Sequence, residues 1–249
     1  MIVIAHLSDT HLDGTPRAAE RTRKVAEFVD RLPYELDAVL VTGDIADHGR
    51  AEEYEEARKL LDLRHPTFLC PGNHDDRAEF RRVLLGEPPT TGPVNQVHRT
   101  AGAVYALCDS TIPGEDGGLL AGETLDWLEG VLDEADAPVF VAFHHQPIPL
   151  RHAVADTMGL AEPDRLAALV SRHPRVAAVL CGHCHMAVAS TFAGRPLRAA
   201  PGVVSALVLP WEEGADAMAT CVDYDAPVSL AFHVLDDDGV LTTHYRALA

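Results

Sequence analysis

Five short blocks of the sequence gather carboxylate, amide and imidazole side chains: Asp9-Thr10-His11, Gly43-Asp44, Gly72-Asn73-His74-Asp75, His144-His145 and Gly182-His183-Cys184-His185. Carboxylate oxygen and imidazole nitrogen together suit borderline or hard divalent ions such as Mn, Fe or Zn, whereas a soft thiolate site requires cysteines. Asp9/His11 and His183/His185 are i,i+2 pairs, and an extended backbone points such side chains the same way. A carboxylate has two oxygens, so Asp44, in the middle of the set, fits a bridge between two ions. Two ions about 3.5–4 Å apart can hold a bridging hydroxide and clamp a phosphoryl centre. Two divalent cations, less Asp9, Asp44 and a hydroxide, leave a local charge of about +1, enough to attract a phosphodiester anion.

These blocks meet only if the elements before them line up. Residues 2–7, 38–42, 66–70, 103–108, 138–144 and 176–181 are short apolar runs, many β-branched, that end at polar or glycine residues. That is the pattern of buried strands. Helical patterns lie between them. Thr15-Pro16 supplies an N-cap followed by Pro at the first helical position, and Val25, Phe28, Val29 and Leu32 then recur at helical spacing. Residues 51–63 are rich in Glu and Ala, 122–135 carry Leu125, Leu128 and Leu132, and 163–172 carry Leu166, Leu169 and Val170. The alternation predicts a largely parallel sheet covered by helices, with the carboxyl ends of its strands facing one crevice. After residue 186 the segments 187–193, 203–209, 217–224, 228–235 and 240–246 read as short, mostly antiparallel strands. They build either a second sheet or a dimer face. The run 199–209 reads as a core strand with Pro201-Gly202 at the pocket rim, and Gly86–Pro93 as a surface loop. One compact α/β domain spanning 1–249 with two sheets is the simplest expectation.

Composition narrows the partners. The chain has 249 residues and a formal net charge of −18, a surface that repels nucleic-acid phosphates and anionic lipid. Neither a signal peptide nor a membrane-spanning run is legible. The five cysteines, at 70, 108, 181, 184 and 221, are an odd number, so free thiols in a reducing cytoplasm are expected. Cys181-Gly182-His183-Cys184 has the form of a redox motif, but that chemistry needs a helix N-terminus and the residues after it read as a strand. His74-Asp75 has the form of the HD-type phosphohydrolases, which are all-helical, whereas this pair follows a strand. His6, His65, His98, His152, His173, His233 and His244 are expected on the surface or as hydrogen-bonded core residues.

D-x-H, G-D, G-N-H-D, H and G-H-x-H, in this order from Asp9 to His185, resemble the calcineurin-like metallophosphoesterase family. The resemblance implies a two-sheet αββα sandwich of the metallophosphoesterase type. It implies that Asp9, His11, Asp44 and His185 hold one metal ion, and that Asp44, as the bridge, holds a second with Asn73, His144 and His183. His74 would then sit beside the substrate phosphate as the catalytic imidazole, with Asp75 orienting it. His144 rather than His145 would enter the site, since alternation along a strand admits one of the two; His145 would support it or meet substrate. Residues 109–128 are similar to a segment of bacterial class III cyclic-nucleotide phosphodiesterases. In phosphoprotein phosphatases an arginine stands where this chain has His48, and nucleases of the same superfamily carry extra segments. The implied activity is hydrolysis of small phosphodiesters, cAMP first among them, by a metal-bridging hydroxide. A broader phosphodiesterase or phosphomonoesterase, acting for instance on glycerophosphodiesters, and a non-catalytic scaffold are the alternatives. A homodimer is compatible with all of these.

Overall fold

Side chains alternate along each strand and so sort into layers. In β1 (Ile2–Leu7) Ile4 belongs to one apolar cluster and Ala5 and Leu7 to another, and in β2 (Ala38–Thr42) Leu40 is separated in the same way from Val39 and Val41. The computed structural model describes residues 1–249. The chain continues through β3 (Thr67–Cys70), β4 (Gln96–Arg99), β5 (Val104–Leu107), β6 (Val139–Ala142), β7 (Val176–Cys181), β8 (Val188–Phe192), β9 (Arg195–Ala199), β10 (Ser229–Leu235) and β11 (Leu241–Ala247). The main helices are α1 (Pro16–Asp30), α2 (Ala51–Leu60), α3 (Gly122–Glu134) and α4 (Asp164–Arg172).

One sheet has the order β11-β10-β1-β2-β3 and the other β8-β9-β7-β6-β5-β4. Within them β1, β2 and β3 run parallel, as do β5, β6 and β7. Ile4, Leu40, Tyr105, Phe140 and Leu180 fill the space between the sheets. Helices α1 and α2 cover one outer face by packing Val25, Val29 and Tyr54 against Val39 and Val41. Helices α3 and α4 cover the other with Leu128, Leu132, Leu166 and Leu169. Each such fully buried side chain contributes about 1.5–3 kcal/mol. The result is the expected αββα sandwich.

The C-terminal third departs from expectation. The tail does not form a sheet of its own. β10 and β11 extend the first sheet by antiparallel pairing beside β1, while β9 joins the second sheet parallel to β7. Neither β9 nor β4 was legible as a strand. Segments 203–209 and 217–224 contribute only Ala206–Leu207 paired with Val222–Asp223. The reason lies in where their hydrogen bonds go: Val203 N–H donates to Ser8 O (2.9 Å) and Val204 N–H to Asp9 O (3.1 Å), binding residues 202–205 under the loop that follows β1. Thr15 does not cap α1 with its side chain; its hydroxyl donates to Asp13 Oδ1 (2.7 Å).

Between the sheets a polar chain runs from Thr42 Oγ1 to His6 Nε2 (2.9 Å), from His6 Nδ1 to His233 Nε2 (3.0 Å), and from His233 Nδ1 to Thr243 Oγ1 (2.9 Å). Burial pushes the His6 imidazole down to about 3. These histidines, like buried His65 and His152, are hydrogen-bonded core residues, as expected. All five cysteines are free and buried. No helix is long and apolar enough to cross a membrane.

Candidate metal centre

The parallel register that sets Leu7 opposite Val41 continues beyond the strand ends. Asp9 N–H donates to Gly43 O (3.1 Å), His11 N–H to Asp44 O (2.9 Å) and Leu12 N–H to Ile45 O (2.9 Å). Asp75 then ties the third loop to the second. Its carboxylate accepts from Gly72 N (2.8 Å), Ala46 N (3.1 Å), Ile45 N (3.2 Å) and the Tyr54 hydroxyl (3.0 Å). Burial and the neighbouring Asp44 charge push the Asp75 carboxyl up to about 6. Its role differs from the expected one: all of its hydrogen bonds go to backbone and Tyr54, and none to the His74 ring. His74 Nδ1 donates instead to the Asp47 carbonyl (2.8 Å).

Tight loops, not extended backbone, aim the i,i+2 pairs. Asp9 (φ 58°), His11 (38°), Asp44 (47°), His183 (67°) and His185 (50°) all adopt left-handed conformations. For residues other than glycine these cost about 1–2 kcal/mol each, and such strain concentrates at functional sites.

The expected donors do come together. Asp44 Oδ2 lies 3.4 Å from His11 Nε2 and 3.2 Å from His144 Nε2. Asp9 Oδ1 lies 3.4 Å from His185 Nε2, and His185 Nε2 lies 3.2 Å from His11 Nε2. On the other side, His144 Nε2 is 3.2 Å from Asn73 Oδ1 and 3.1 Å from His183 Nδ1. Metal–donor bonds of about 2.0–2.2 Å separate two donors on one ion by roughly 3.0–3.5 Å. The observed spacings are of that size, and Asp9 Oδ1 is buried without any hydrogen-bond partner. The residues therefore fit a pair of ions, with Asp9, His11, Asp44 and His185 on one side and Asp44, Asn73, His144 and His183 on the other.

The outward ring nitrogens are held as metal-binding imidazoles require. His11 Nδ1 donates to Asp47 Oδ1 (2.8 Å) and His144 Nδ1 to the Thr42 carbonyl (2.6 Å), while His185 Nδ1 meets Ser205 Oγ (2.8 Å). The remaining carboxylate oxygens accept backbone N–H groups, Asp9 Oδ2 from His183 (3.1 Å) and Asp44 Oδ1 from His74 (3.0 Å). Burial disfavours the His144 cation, but Asp44 and Asp9 outweigh it and raise its pKa to about 9. Burial likewise opposes the Asp44 charge, and His144, His11 and His74 nevertheless hold the carboxyl well below its usual range. To hold a divalent ion through Nε2, His144 would have to give up its proton there. Burial lowers the pKa of His183 and His185, leaving their lone pairs available.

Two predicted details change. His145 does not alternate away from the site: β6 ends at Ala142, and donor atoms of His144, His145 and His183 lie within 4.8 Å of one another. Asp47 and Ser205 join the site as partners of His11 and His185. Asp47 stands three residues after Asp44 in Gly-Asp-x-x-Asp, a spacing that could have drawn attention, whereas nothing local marks Ser205. Pro201-Gly202 lies beneath the site, where a Cβ on Gly202 would fall 2.7 Å from His185 Nδ1.

The centre opens into a cavity of about 680 Å³ whose far walls include Val154, Met158, Leu207, Met218 and Tyr224. His74 and Asn73 also line a neighbouring groove of about 200 Å³ with His48, Arg77 and Thr111.

The sequence profile of the calcineurin-like phosphoesterase family matches residues 2–187. Among curated relatives, the glycerophosphodiester phosphodiesterase GpdQ of Enterobacter lignolyticus is 39% identical over 197 residues, 74% of this chain and 71% of its own. A cAMP/cGMP dual specificity phosphodiesterase of Mycobacterium tuberculosis is 34% identical over 211 residues, 80% of this chain and 66% of its own. The 3′,5′-cyclic adenosine monophosphate phosphodiesterase CpdA of Pseudomonas aeruginosa is 32% identical over 193 residues, 74% of this chain and 70% of its own. The crystal structure of a dimetal phosphatase from Danio rerio shares the fold, with a TM-score of 0.71 at 14% identity over 99% of this chain and 96% of its own.

Proposed function

The chain belongs to the calcineurin-like phosphoesterase family and is a phosphodiesterase, and we propose that it hydrolyses small phosphodiesters, 3′,5′-cyclic nucleotides and cAMP first among them. The observation that carries the reading is Asp44 Oδ2, one oxygen within 3.4 Å of His11 Nε2 and 3.2 Å of His144 Nε2. It belongs to both donor sets at once, the arrangement a two-ion centre needs.

When bound, the two ions supply Lewis acidity toward the phosphoryl oxygens and an activated water. Mn, Fe and Zn all suit this oxygen-and-imidazole donor set. The chain's own residues do the rest. Asp47 holds His11 with Nε2 turned inward, and Thr42 does the same for His144. His74 is partly exposed in the cavity wall, its Nδ1 proton engaged by the Asp47 carbonyl. As the imidazolium, with its second proton on Nε2, it would give that proton to the departing ester oxygen as the P–O bond breaks and be left neutral with Nδ1–H still held by Asp47. The apolar wall of Met158, Leu207, Met218 and Tyr224 accepts the organic part of the substrate. Five unpaired cysteines match a reducing compartment, and the cytoplasm is the location proposed.

A second substrate class has its own support. The relative named as a glycerophosphodiester phosphodiesterase is 39% identical, and the groove beyond His74 offers room for a second ester arm. The test is hydrolysis of 3′,5′-cyclic AMP, a glycerophosphodiester and bis-(p-nitrophenyl) phosphate by Mn²⁺-reconstituted protein, beside Asp44→Ala. Turnover of cAMP supports the cyclic-nucleotide reading. Turnover of the acyclic diesters alone replaces it with the second. A folded Asp44→Ala protein with undiminished turnover overturns the shared-oxygen centre itself.

A further inference from the structure

Three of the four candidate imidazole ligands have their outward nitrogen tied to a neighbour: His11 to Asp47, His144 to Thr42 and His185 to Ser205. His183 is the exception. It turns Nδ1 toward His144 Nε2 (3.1 Å), which leaves Nε2 pointing outward, buried and without a partner. A neutral imidazole that gives its Nδ1 lone pair to an ion must carry its proton on Nε2. That proton needs an acceptor, since a buried donor left unpaired is costly.

The neighbouring ring offers an acceptor. His145 is fully buried, its centroid lies 4.6 Å from that of His183 at 47°, and its own Nε2 is also buried without a partner. Its other nitrogen, Nδ1, is 2.8 Å from Ser110 Oγ. With its proton on Nδ1 and donated to Ser110, His145 presents a bare lone pair at Nε2. The ring is also confined, because a Cβ on Gly118 would fall 2.3 Å from His145 Cγ. The two nitrogens are not hydrogen-bonded as the rings stand, but with centroids 4.6 Å apart a small turn of either ring would let His183 Nε2–H donate to His145 Nε2 and satisfy both orphaned atoms.

We propose that His145 is a positioning residue for the second metal ion: its Nε2 accepts the Nε2 proton of His183, and Ser110 holds His145 in the tautomer that can do so. The proposal rests on the reading of His183 as a ligand through Nδ1. It assigns the pair His144-His145 two distinct tasks, one ring facing the ion and the next bracing a ligand that arrives from a different strand.

The test combines ion affinity with tautomer assignment. Ions are titrated into wild type, His145→Phe, His145→Gln and Ser110→Ala in competition with a chelator, with circular dichroism and thermal melting to verify folding. Loss of a metal ligand's hydrogen-bond partner typically weakens affinity about 10–100-fold. That loss is expected for the second ion in His145→Phe, with the first ion unchanged. Substantial recovery is expected in His145→Gln, whose amide oxygen can stand near the lost Nε2. Ser110→Ala should fall between. Phe and Gln variants that bind both ions as wild type does, or that lose the second ion equally, overturn the proposal. Nitrogen-15 imidazole spectra of Zn-loaded wild type provide an independent reading, with His183 expected to be protonated at Nε2 and His145 bare there. A proton on His145 Nε2 overturns the proposal whatever the variants do. Wild-type protein that binds a single ion overturns the ligand reading beneath it.

Discussion

Gly43→Ala is a small perturbation with a calculable reach. Gly43 has φ +89°, and a Cβ there would fall 2.4 Å from His144 Nδ1 and 2.8 Å from Gly72 Cα. Ordinary contact begins at 3.4 Å, so the His144 ring must retreat by about 3.4 − 2.4 = 1.0 Å. The retreat breaks the 2.6 Å hydrogen bond from His144 to the Thr42 carbonyl, worth about 1 kcal/mol. Left-handed backbone in alanine adds about 1–2 kcal/mol, and overpacking about 1–3 kcal/mol. The sum is about 3–6 kcal/mol. Gly86→Ala is the control: φ is +66° with nothing within 4 Å, so only the backbone cost of about 1–2 kcal/mol applies. The difference of roughly 2–4 kcal/mol is specific to the contacts with His144 and the Gly72 backbone and corresponds to a Tm gap of about 4–16 °C for a chain of this size. A ligand misplaced by about 1 Å also costs activity on the order of 100-fold. Calorimetry of the metal-free proteins and diester hydrolysis with Mn²⁺ measure the two effects. A Gly43→Ala protein that matches Gly86→Ala in both melting temperature and turnover refutes the packing argument.

Asp47→Asn removes the charged acceptor of His11 Nδ1 and should weaken the first ion about 10–100-fold; a chelator titration matching wild type would count against the role given to Asp47. His74→Ala should lower kcat by about 10²–10⁴-fold with ion stoichiometry unchanged, and an unaltered kcat would remove His74 from proton transfer. The folded His6 pKa of about 3 lies below the ordinary unfolded value of about 6.5. Its contribution to stability is therefore complete above pH 6.5 and declines as pH falls toward 3, by about 1.4 kcal/mol per pH unit within that window. Proton NMR of the folded protein should show His6 neutral down to pH 4; a midpoint near 6.5 would contradict this.

Local sequence determined the layers and the positions of the polar blocks. The runs 2–7, 38–42 and 176–181 and the helical spacings of Val25, Leu128 and Leu166 report faces that repeat every two or 3.6 residues, and these periods are intrinsic to each segment. The blocks Asp9-x-His11, Gly43-Asp44, Gly72-Asn73-His74 and Gly182-His183-x-His185 are likewise contiguous in the chain. Tertiary structure decided how those residues are oriented. His11 finds Asp47 at a separation of 36 residues, His144 finds Thr42 at 102 and His185 meets Ser205 at 20. The turn of His145 toward His183 depends on where β6 ends, and the left-handed angles at Asp9, His11, Asp44, His183 and His185 are imposed by loop–loop hydrogen bonds. The parallel insertion of β9 beside β7 depends on which edge was open. Hydrogen-bond partners of this kind are set by sheet register and loop docking, which couple residues with no periodic relation in sequence. Periodicity therefore marks the strands that deliver a ligand, and only the folded chain specifies which nitrogen of the imidazole faces the ion.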